Sequence, residues 1–281
     1  MKDLSNDNIL HIKKNNIEYL QFRRFLEYKE TLIHCCYTLS THNINFNIDT
    51  KYNKDLLDNY KKLARALNFN YKNIVTAYQE HTDIIKNFDK SNLTQTQDIT
   101  TYKNIDGLIT NIPKAALIMR FADCTPILLF DPVKKVISNL HSGWRGTIKQ
   151  IARKGVRKLV KEYGSNPKNI LCGIGPSIKQ CHFETDEQVK NIFKQEFGYM
   201  DKIEQIIKKG RKINGKQKYN IDTEAINKNI LQEEGIPHEN IITSGICTVC
   251  NNDLMYSYRA NKNQEGRNCS VMCLCPIGDV S

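Results

Sequence analysis

Residues Phe121–Gly146 read FADCTPILLFDPVKKVISNLHSGWRG. Two apolar runs within this stretch, Ile127–Phe130 and Val136–Leu140, read as buried strands, with Asp131-Pro132 and Lys134-Lys135 forming the turn between them. Adjacent antiparallel strands joined by a short turn set their outer ends side by side. Cys124, just before the first strand, therefore meets His141, just after the second. A thiol and an imidazole at one sheet edge are either metal ligands or a nucleophile and its base. Taken singly, each has a plainer reading: a buried small hydrophobe for the cysteine, a strand-end cap for the histidine. Gly143 and Gly146 permit close backbone approach, Arg145 supplies a fork of donors, and a helix is expected from Thr147. A glycine turn opening a helix leaves free N–H groups and a positive dipole end, which suits an anion such as phosphate.

Outward from this stretch, periodicity places the other elements. Met1–Asn16 is polar and reads as a loose or short helical start. Ile17–Leu26, Leu32–Tyr37, Asn73–Tyr78, Asp106–Thr110 and Ala115–Arg120 read as strands. Lys54–Leu67 keeps one apolar face at helical spacing, with Asn53 as its expected N-cap. Phe88–Thr101 is polar and reads as an exposed excursion. Thr147–Tyr163 is expected to be one amphipathic helix ended by Gly164 and Pro167. Asn169–Ile174 is a strand, Asp186–Phe197 and Thr223–Glu234 are helices, and Asn240–Ser244, Leu254–Tyr258 and Cys269–Leu274 are closing strands. No linker or repeat divides the chain. The expectation is a single α/β (α+β) domain with mixed sheets over 1–281, in which residues 1–16 are a loose N-terminus and 17–281 the folded body.

The chain has 281 residues, 40% of them hydrophobic, enough for a sizeable core. No apolar run reaches the roughly 18 residues of a membrane span, and no signal-peptide core is visible at the N-terminus, so a cytoplasmic protein with no membrane partner is expected. Ten cysteines in a chain of this size read as free thiols, ligands or nucleophiles rather than a disulfide scaffold. The formal charge of +11 is spread along the sequence. Its one dense cluster, Lys208-Lys209-Gly210-Arg211-Lys212 through Lys218, lacks interleaved aromatics until Tyr219 and reads as a solvated loop. Nucleic acid is not the expected partner; anionic small molecules are.

His81 follows a strand-like run, as His141 does, and is the third donor recruited. A His, Cys, His set offers borderline-soft ligands that suit Zn²⁺ and leaves one position open, the catalytic rather than the structural pattern. Near the C-terminus, Cys247-x-x-Cys250 followed by Cys269, Cys273 and Cys275 has zinc-ribbon-like spacing. The last three share one parity of a single strand, however, and buried core thiols explain them without metal.

Several blocks, in order, resemble a known family: Gln79-Glu80-His81-Thr82-Asp83, Asp106-Gly107-Leu108-Ile109-Thr110, Ala122-Asp123-Cys124-Thr125-Pro126 and His141-Ser142-Gly143-Trp144-Arg145-Gly146. They continue with Gly173-Ile174-Gly175-Pro176-Ser177-Ile178, Cys181, Phe183-Glu184, Cys247-Thr248, Ser257-Tyr258-Arg259 and Gly266-Arg267. The chain resembles the family variously labelled multicopper polyphenol oxidase (laccase) and bacterial purine nucleoside phosphorylase. The resemblance implies a layered α–β–β–α sandwich and a catalytic zinc on His81, Cys124 and His141. It also implies phosphorolysis of adenosine, inosine and methylthioadenosine, plus adenosine deamination. Cys124 and His141 are the expected catalytic residues, and Gly143, Arg145 and Arg259 the expected phosphate or substrate contacts, in a monomer or homodimer. The chain departs from the pattern at Cys36-Tyr37-Thr38-Leu39, where the family carries Phe-Ser-Thr-Arg and a following glycine pair, and at Met255, where a Phe is usual. Two other chemistries remain open: a copper oxidase, and a metal-free cysteine hydrolase editing peptidoglycan precursors with Cys124 as nucleophile and His141 as base. A blue-copper centre plus a trinuclear cluster asks for on the order of ten imidazoles, and the chain has seven.

Overall fold

The computed structural model describes residues 2–49, 53–89, 91, 99–262 and 266–275. In chain order the elements are β1 (Ile9–Lys14), β2 (Ile17–Phe22), β3 (Leu32–Cys35), β4 (Tyr37–Thr38), α1 (Leu56–Leu67), β5 (Ile74–Tyr78), β6 (Ile85–Asn87), β7 (Thr100–Lys103), β8 (Gly107–Thr110) and β9 (Ala116–Phe121). Next come β10 (Thr125–Asp131), β11 (Val136–Ser142), α2 (Trp144–Ile148), α3 (Ile151–Tyr163), β12 (Leu171–Ile174), β13 (Glu184–Thr185) and α4 (Glu187–Phe197). Last are α5 (Ile203–Ile206), β14 (Ile207–Ile213), β15 (Lys216–Ile221), α6 (Thr223–Glu233), β16 (Ile241–Thr243) and β17 (Asn268–Leu274).

β10 and β11 pair antiparallel, with Ile127 opposite Leu140 and Pro126 opposite His141. The turn closes because Asp131 Oδ1 accepts the N–H groups of Val133 and Lys134 at 2.9 and 3.0 Å, an Asx turn that needs a short side chain with an acceptor oxygen at this position. The hairpin lies inside a six-stranded sheet of order β16-β12-β10-β11-β8-β6; a five-stranded sheet of order β3-β17-β9-β5-β7 faces it. All seven residues of β10 and of β11 are buried, as strands covered on both faces must be.

Three apolar layers account for that burial. Leu128, Phe130, Met119, Phe121 and Met272 pack between the sheets. Ile127, Leu129 and Leu140 pack outward against Ala152, Val156 and Leu159 of α3 and Ile226 and Ile230 of α6. Ile118, Val271 and Cys269 pack on the other side against Tyr60 and Leu63 of α1. The result is the α–β–β–α order that the resemblance implies. The approach of α3 is close: a Cβ at Gly155 would stand 2.6 Å from Leu140 Cδ1. Among the described residues, no helix is long and apolar enough to cross a membrane.

Several local expectations are corrected. Residues 9–14, within the supposedly loose N-terminus, form β1 and pair with β2. The strand from Ile17 stops at Phe22, and Arg23–Tyr28 turns into a 3-10 helix. Asn53 does not cap α1; its amide donates to the Asn45 and Asn47 carbonyls, and Asp55 holds the N-cap position. The helix expected over Thr147–Tyr163 begins at Trp144 and breaks at Gln150, whose φ of 56° is left-handed. Lys208–Lys218 is not a loop but part of the β14–β15 hairpin, which carries a register shift between Lys209 and Lys212. Leu254–Tyr258 is turn rather than strand. Part of the excursion expected over Phe88–Thr101, residues 90 and 92–98, lies outside the described residues. Its end, from Thr100, belongs to β7.

Candidate active site

The outer end of the β10–β11 hairpin opens into a cavity of about 860 Å³. His81, Cys124 and His141 meet at its edge, their ligand atoms all within 4.8 Å of one another. His141 belongs to β11 itself and does not follow it, so its ring position is fixed by the sheet. Cys124 is the last residue before β10, and His81 sits just beyond β5. The three arrive from both sheets, and the hairpin alone explains only two of them.

Asp106 joins these pieces. Its Oδ1 lies 2.7 Å from His141 Nδ1, and its two carboxylate oxygens accept the N–H groups of Glu80, His81 and Thr82 and the Thr82 hydroxyl at 2.7–3.1 Å. An ionised carboxylate only accepts, so His141 carries its proton on Nδ1 and turns Nε2 toward the site. Burial pushes the Asp106 carboxyl up, but the hydrogen bonds from His141 and Thr82 outweigh it and hold the group below its usual range. The same carboxylate stabilises His81 at a φ of 58°, a left-handed conformation that costs a non-glycine residue of order 1 kcal/mol or more. Asp123, directly before Cys124, is also left-handed, at φ 85°. Its carboxylate is fixed by the Thr248 hydroxyl at 2.6 Å and the Arg259 N–H at 2.7 Å.

Cys124 Sγ stands 3.7 Å from His81 Nε2. Burial raises its thiol, but the His141 charge and hydrogen bonds from both histidines pull harder and hold it at about 6. His141 moves the opposite way: burial lowers it, and the thiolate and Asp106 raise it. Without a metal the opposite shifts of the two groups favour a thiolate beside an imidazolium.

The donor set fits a zinc ion. Across a tetrahedral zinc with bonds of about 2.3 Å to sulfur and 2.0 Å to nitrogen, a sulfur and a nitrogen stand roughly 3.5 Å apart, close to the separation at Cys124 and His81. Gly143 supports the fit. A Cβ there would lie 2.7 Å from His81 Cδ2 and 3.1 Å from Cys124 Sγ. Its φ of −69° is ordinary, so the glycine is needed for space rather than for backbone freedom.

The cavity wall carries five cationic side chains against three carboxylates, Asp123, Glu184 and Asp186. Arg120, Arg145, Lys218, Arg259 and Arg267 all line it. Arg145 lays its guanidinium over the Trp144 ring, 4.3 Å from the centroid. Arg259 anchors one guanidinium nitrogen on the carbonyls of His182 and Glu184, at 2.8 and 3.2 Å. Leu39, where the family pattern carries Arg, is buried in the layer between the sheets and does not line the cavity.

A sequence model of the family described as multi-copper polyphenol oxidoreductase laccase matches residues 37–275. The chain belongs to this family. Among its relatives, purine nucleoside phosphorylase YlmD of Bacillus subtilis is 31% identical over 218 residues, covering 76% of this chain and 75% of its own. A purine nucleoside phosphorylase of Clostridium acetobutylicum is 31% identical over 253 residues, covering 90% and 96%. The crystal structure of Bacillus licheniformis YfiH superposes with a TM-score of 0.83 at 25% identity, covering 96% of this chain and all of that one. That of Geobacillus stearothermophilus YlmD gives 0.81 at 23% identity over the same shares. The family assignment fits the site, in which the blocks around His81, Cys124 and His141 converge on one cavity.

Sequence reasoning quoted Asp106 but missed its role. The carboxylate lies 25 positions beyond His81 and 35 before His141, so no spacing rule connects them. It also missed His182. Cys181, His182, Cys247 and Cys250 form a second compact group. Cys269 and Cys273, considered as partners of Cys247 and Cys250, are instead buried among Cys35, Tyr60 and Leu63.

Proposed function

We propose that this chain is a purine nucleoside phosphorylase acting on adenosine, inosine and methylthioadenosine, with adenosine deaminase activity as a second reaction. In this reading His81, Cys124 and His141 hold one Zn²⁺. The observation that carries it is the placement of this donor set on the edge of a cavity walled by arginines. The activity for which its relatives are named supports it.

Phosphorolysis needs an anionic nucleophile held near a ribose that develops positive charge, and help for the departing base. Arg145 and Arg259 present guanidinium forks to the cavity, and a fork matches two phosphate oxygens at once. Arg259 is held rigid by its backbone bond to Asp123 and its carbonyl contacts, so little entropy is lost on binding. Asp123 has both carboxylate oxygens engaged, which makes it a positioning group for Cys124 and Arg259 rather than a proton shuttle. Zinc held by the three donors supplies Lewis acidity and a fixed positive charge. Asp106 keeps His141 in the tautomer that such binding requires.

The test is turnover of inosine and adenosine with and without inorganic phosphate, alongside elemental analysis of the wild type and Cys124→Ala. Phosphate-dependent base release that disappears with Cys124, together with the loss of one zinc, is the expected result. Base release that ignores phosphate overturns the reading. Several coppers per chain would support the oxidase.

One observation favours a second reading. Cys124, His141 and Asp106 also have the order of a nucleophile, its base and the group that orients the base, and the thiol is already depressed to about 6. Hydrolysis that needs Cys124 but neither metal nor phosphate would select this metal-free cysteine hydrolase.

A further inference from the structure

We infer that Cys181, His182, Cys247 and Cys250 bind a second, structural Zn²⁺. The four side chains come from two segments. Cys181 and His182 lie in the turn after β12, where the N–H groups of His182 and Phe183 both bond to the Lys179 carbonyl, at 2.9 and 2.8 Å. Cys247 is joined to Ser177 by an isolated parallel bridge. Val249–Asn251 is a single 3-10 turn that brings Cys250 back beside Cys247. Asn251 fastens the turn by donating to the Cys247 carbonyl at 2.8 Å.

The separations are those of a coordination shell. Cys181 Sγ and Cys250 Sγ stand 3.9 Å apart. His182 Nδ1 lies 3.2, 3.7 and 3.5 Å from the sulfurs of Cys181, Cys247 and Cys250. A tetrahedral Cys₃His zinc with the bond lengths given above places its sulfurs roughly 3.7 Å apart and its nitrogen roughly 3.5 Å from each sulfur. Three sulfurs and one nitrogen complete a closed site, with no open position for water or substrate. A soft thiolate-rich set prefers Zn²⁺ to the harder cations. The group differs from the site at Cys124 in both composition and closure.

Its place in the fold gives it a task. The His182 carbonyl accepts from Arg259, and the next residue, Phe183, lines the cavity. Thr248, between the two C-terminal cysteines, donates to Asp123, the neighbour of Cys124. A metal joining these two segments fixes the cavity wall that carries Arg259 and the loop that carries Cys124. Cys181, His182, Cys247 and Cys250 are positioning residues in this account.

The test is metal content of the full chain purified without added metal. Two zinc ions per wild-type chain are expected, falling to one in Cys250→Ser and to one in Cys124→Ala. Because each variant removes a different ion, failure at Cys124 is separable from failure here. A wild type with one zinc that Cys250→Ser leaves in place overturns the inference. Should Cys250→Ser fail to fold, alkylation mapping of the wild type decides. Cys181 and Cys250 are exposed, and mapped alkylation should find both protected until a chelator is added. Protection relieved by a reductant rather than a chelator means a disulfide, and free reactivity from the start means no bond at all; either result overturns the inference.

Discussion

Asp106 Oδ1 stands 2.7 Å from His141 Nδ1 while the same carboxylate holds the His81 backbone N–H at 3.1 Å. One buried acid thus orients two histidines that reach the site from different sheets. Removing its charge should act on both.

Under the proposed reading of His81, Cys124 and His141 as zinc ligands, Asp106→Asn should lower metal affinity there by about 10–100-fold, the usual effect of losing a carboxylate behind a histidine ligand. Chelator competition measures it. Affinity within a factor of two of wild type would show that the carboxylate serves the backbone turn alone.

Asp106 also predicts an acid limit. Its folded pKa lies below its unfolded value. Its contribution is therefore fully present above the unfolded value of about 3.9 and is lost as pH falls through the lower folded value. Denaturant unfolding of wild type and Asp106→Asn should show a difference that is constant near neutrality and shrinks only below about pH 4. A difference that vanished between pH 5 and 7 would contradict the assignment.

In chain stripped of metal, Cys124 should be a thiolate at neutral pH, since its folded value is about 6 against an ordinary 9.0. Alkylation at Cys124 should reach half its plateau near pH 6. With a depressed folded value, the linked stability is present above the unfolded pKa and lost as pH falls through about 6. A half-plateau near pH 9 would mean that His141 does not hold a charge beside the sulfur.

Gly143→Ala should cost more in metal binding than in stability. The added Cβ meets His81 at 2.7 Å and Cys124 Sγ at 3.1 Å, and overpacking of this kind typically costs about 1–3 kcal/mol. Zinc content and melting temperature measured together separate the two effects. Full zinc content in a folded Gly143→Ala chain would show that the ligands give way without loss.

Under the phosphorylase reading, Arg145→Ala should raise KM for phosphate by roughly 10-fold or more, as expected for losing a charged hydrogen bond of about 1.5–3 kcal/mol. Its zinc content should not change. An unaltered phosphate KM would remove Arg145 from the anion site.

The hairpin around Asp131-Pro132 was legible because strand burial, turn chemistry and two terminal reactive residues all lie within one short stretch. The α–β–β–α order followed from the resemblance, and the structure bears it out. Local readings failed where a neighbour overrode propensity. Gln150 breaks a helix whose apolar spacing runs on without interruption, and its amide meets Glu196 across the fold at 2.6 Å. Lys208–Lys218 looks like a solvated loop because its charges face water, yet its backbone pairs as a hairpin beside β13.

The sequence by itself determined the buried hairpin, the pairing of Cys124 with His141 and the scattered basic charge, because each depends on nearest-neighbour periodicity or composition. Only the tertiary structure decided that Asp106 organises both histidines, that Gly143 is required by side chains rather than by backbone, and that His182 with Cys181 completes the Cys247–Cys250 pair. These relationships join residues 19 to 69 positions apart. Such separations carry no period for a sequence pattern to register. They arise when burial forces two sheets together and leaves polar and sulfur groups to satisfy one another at the seam.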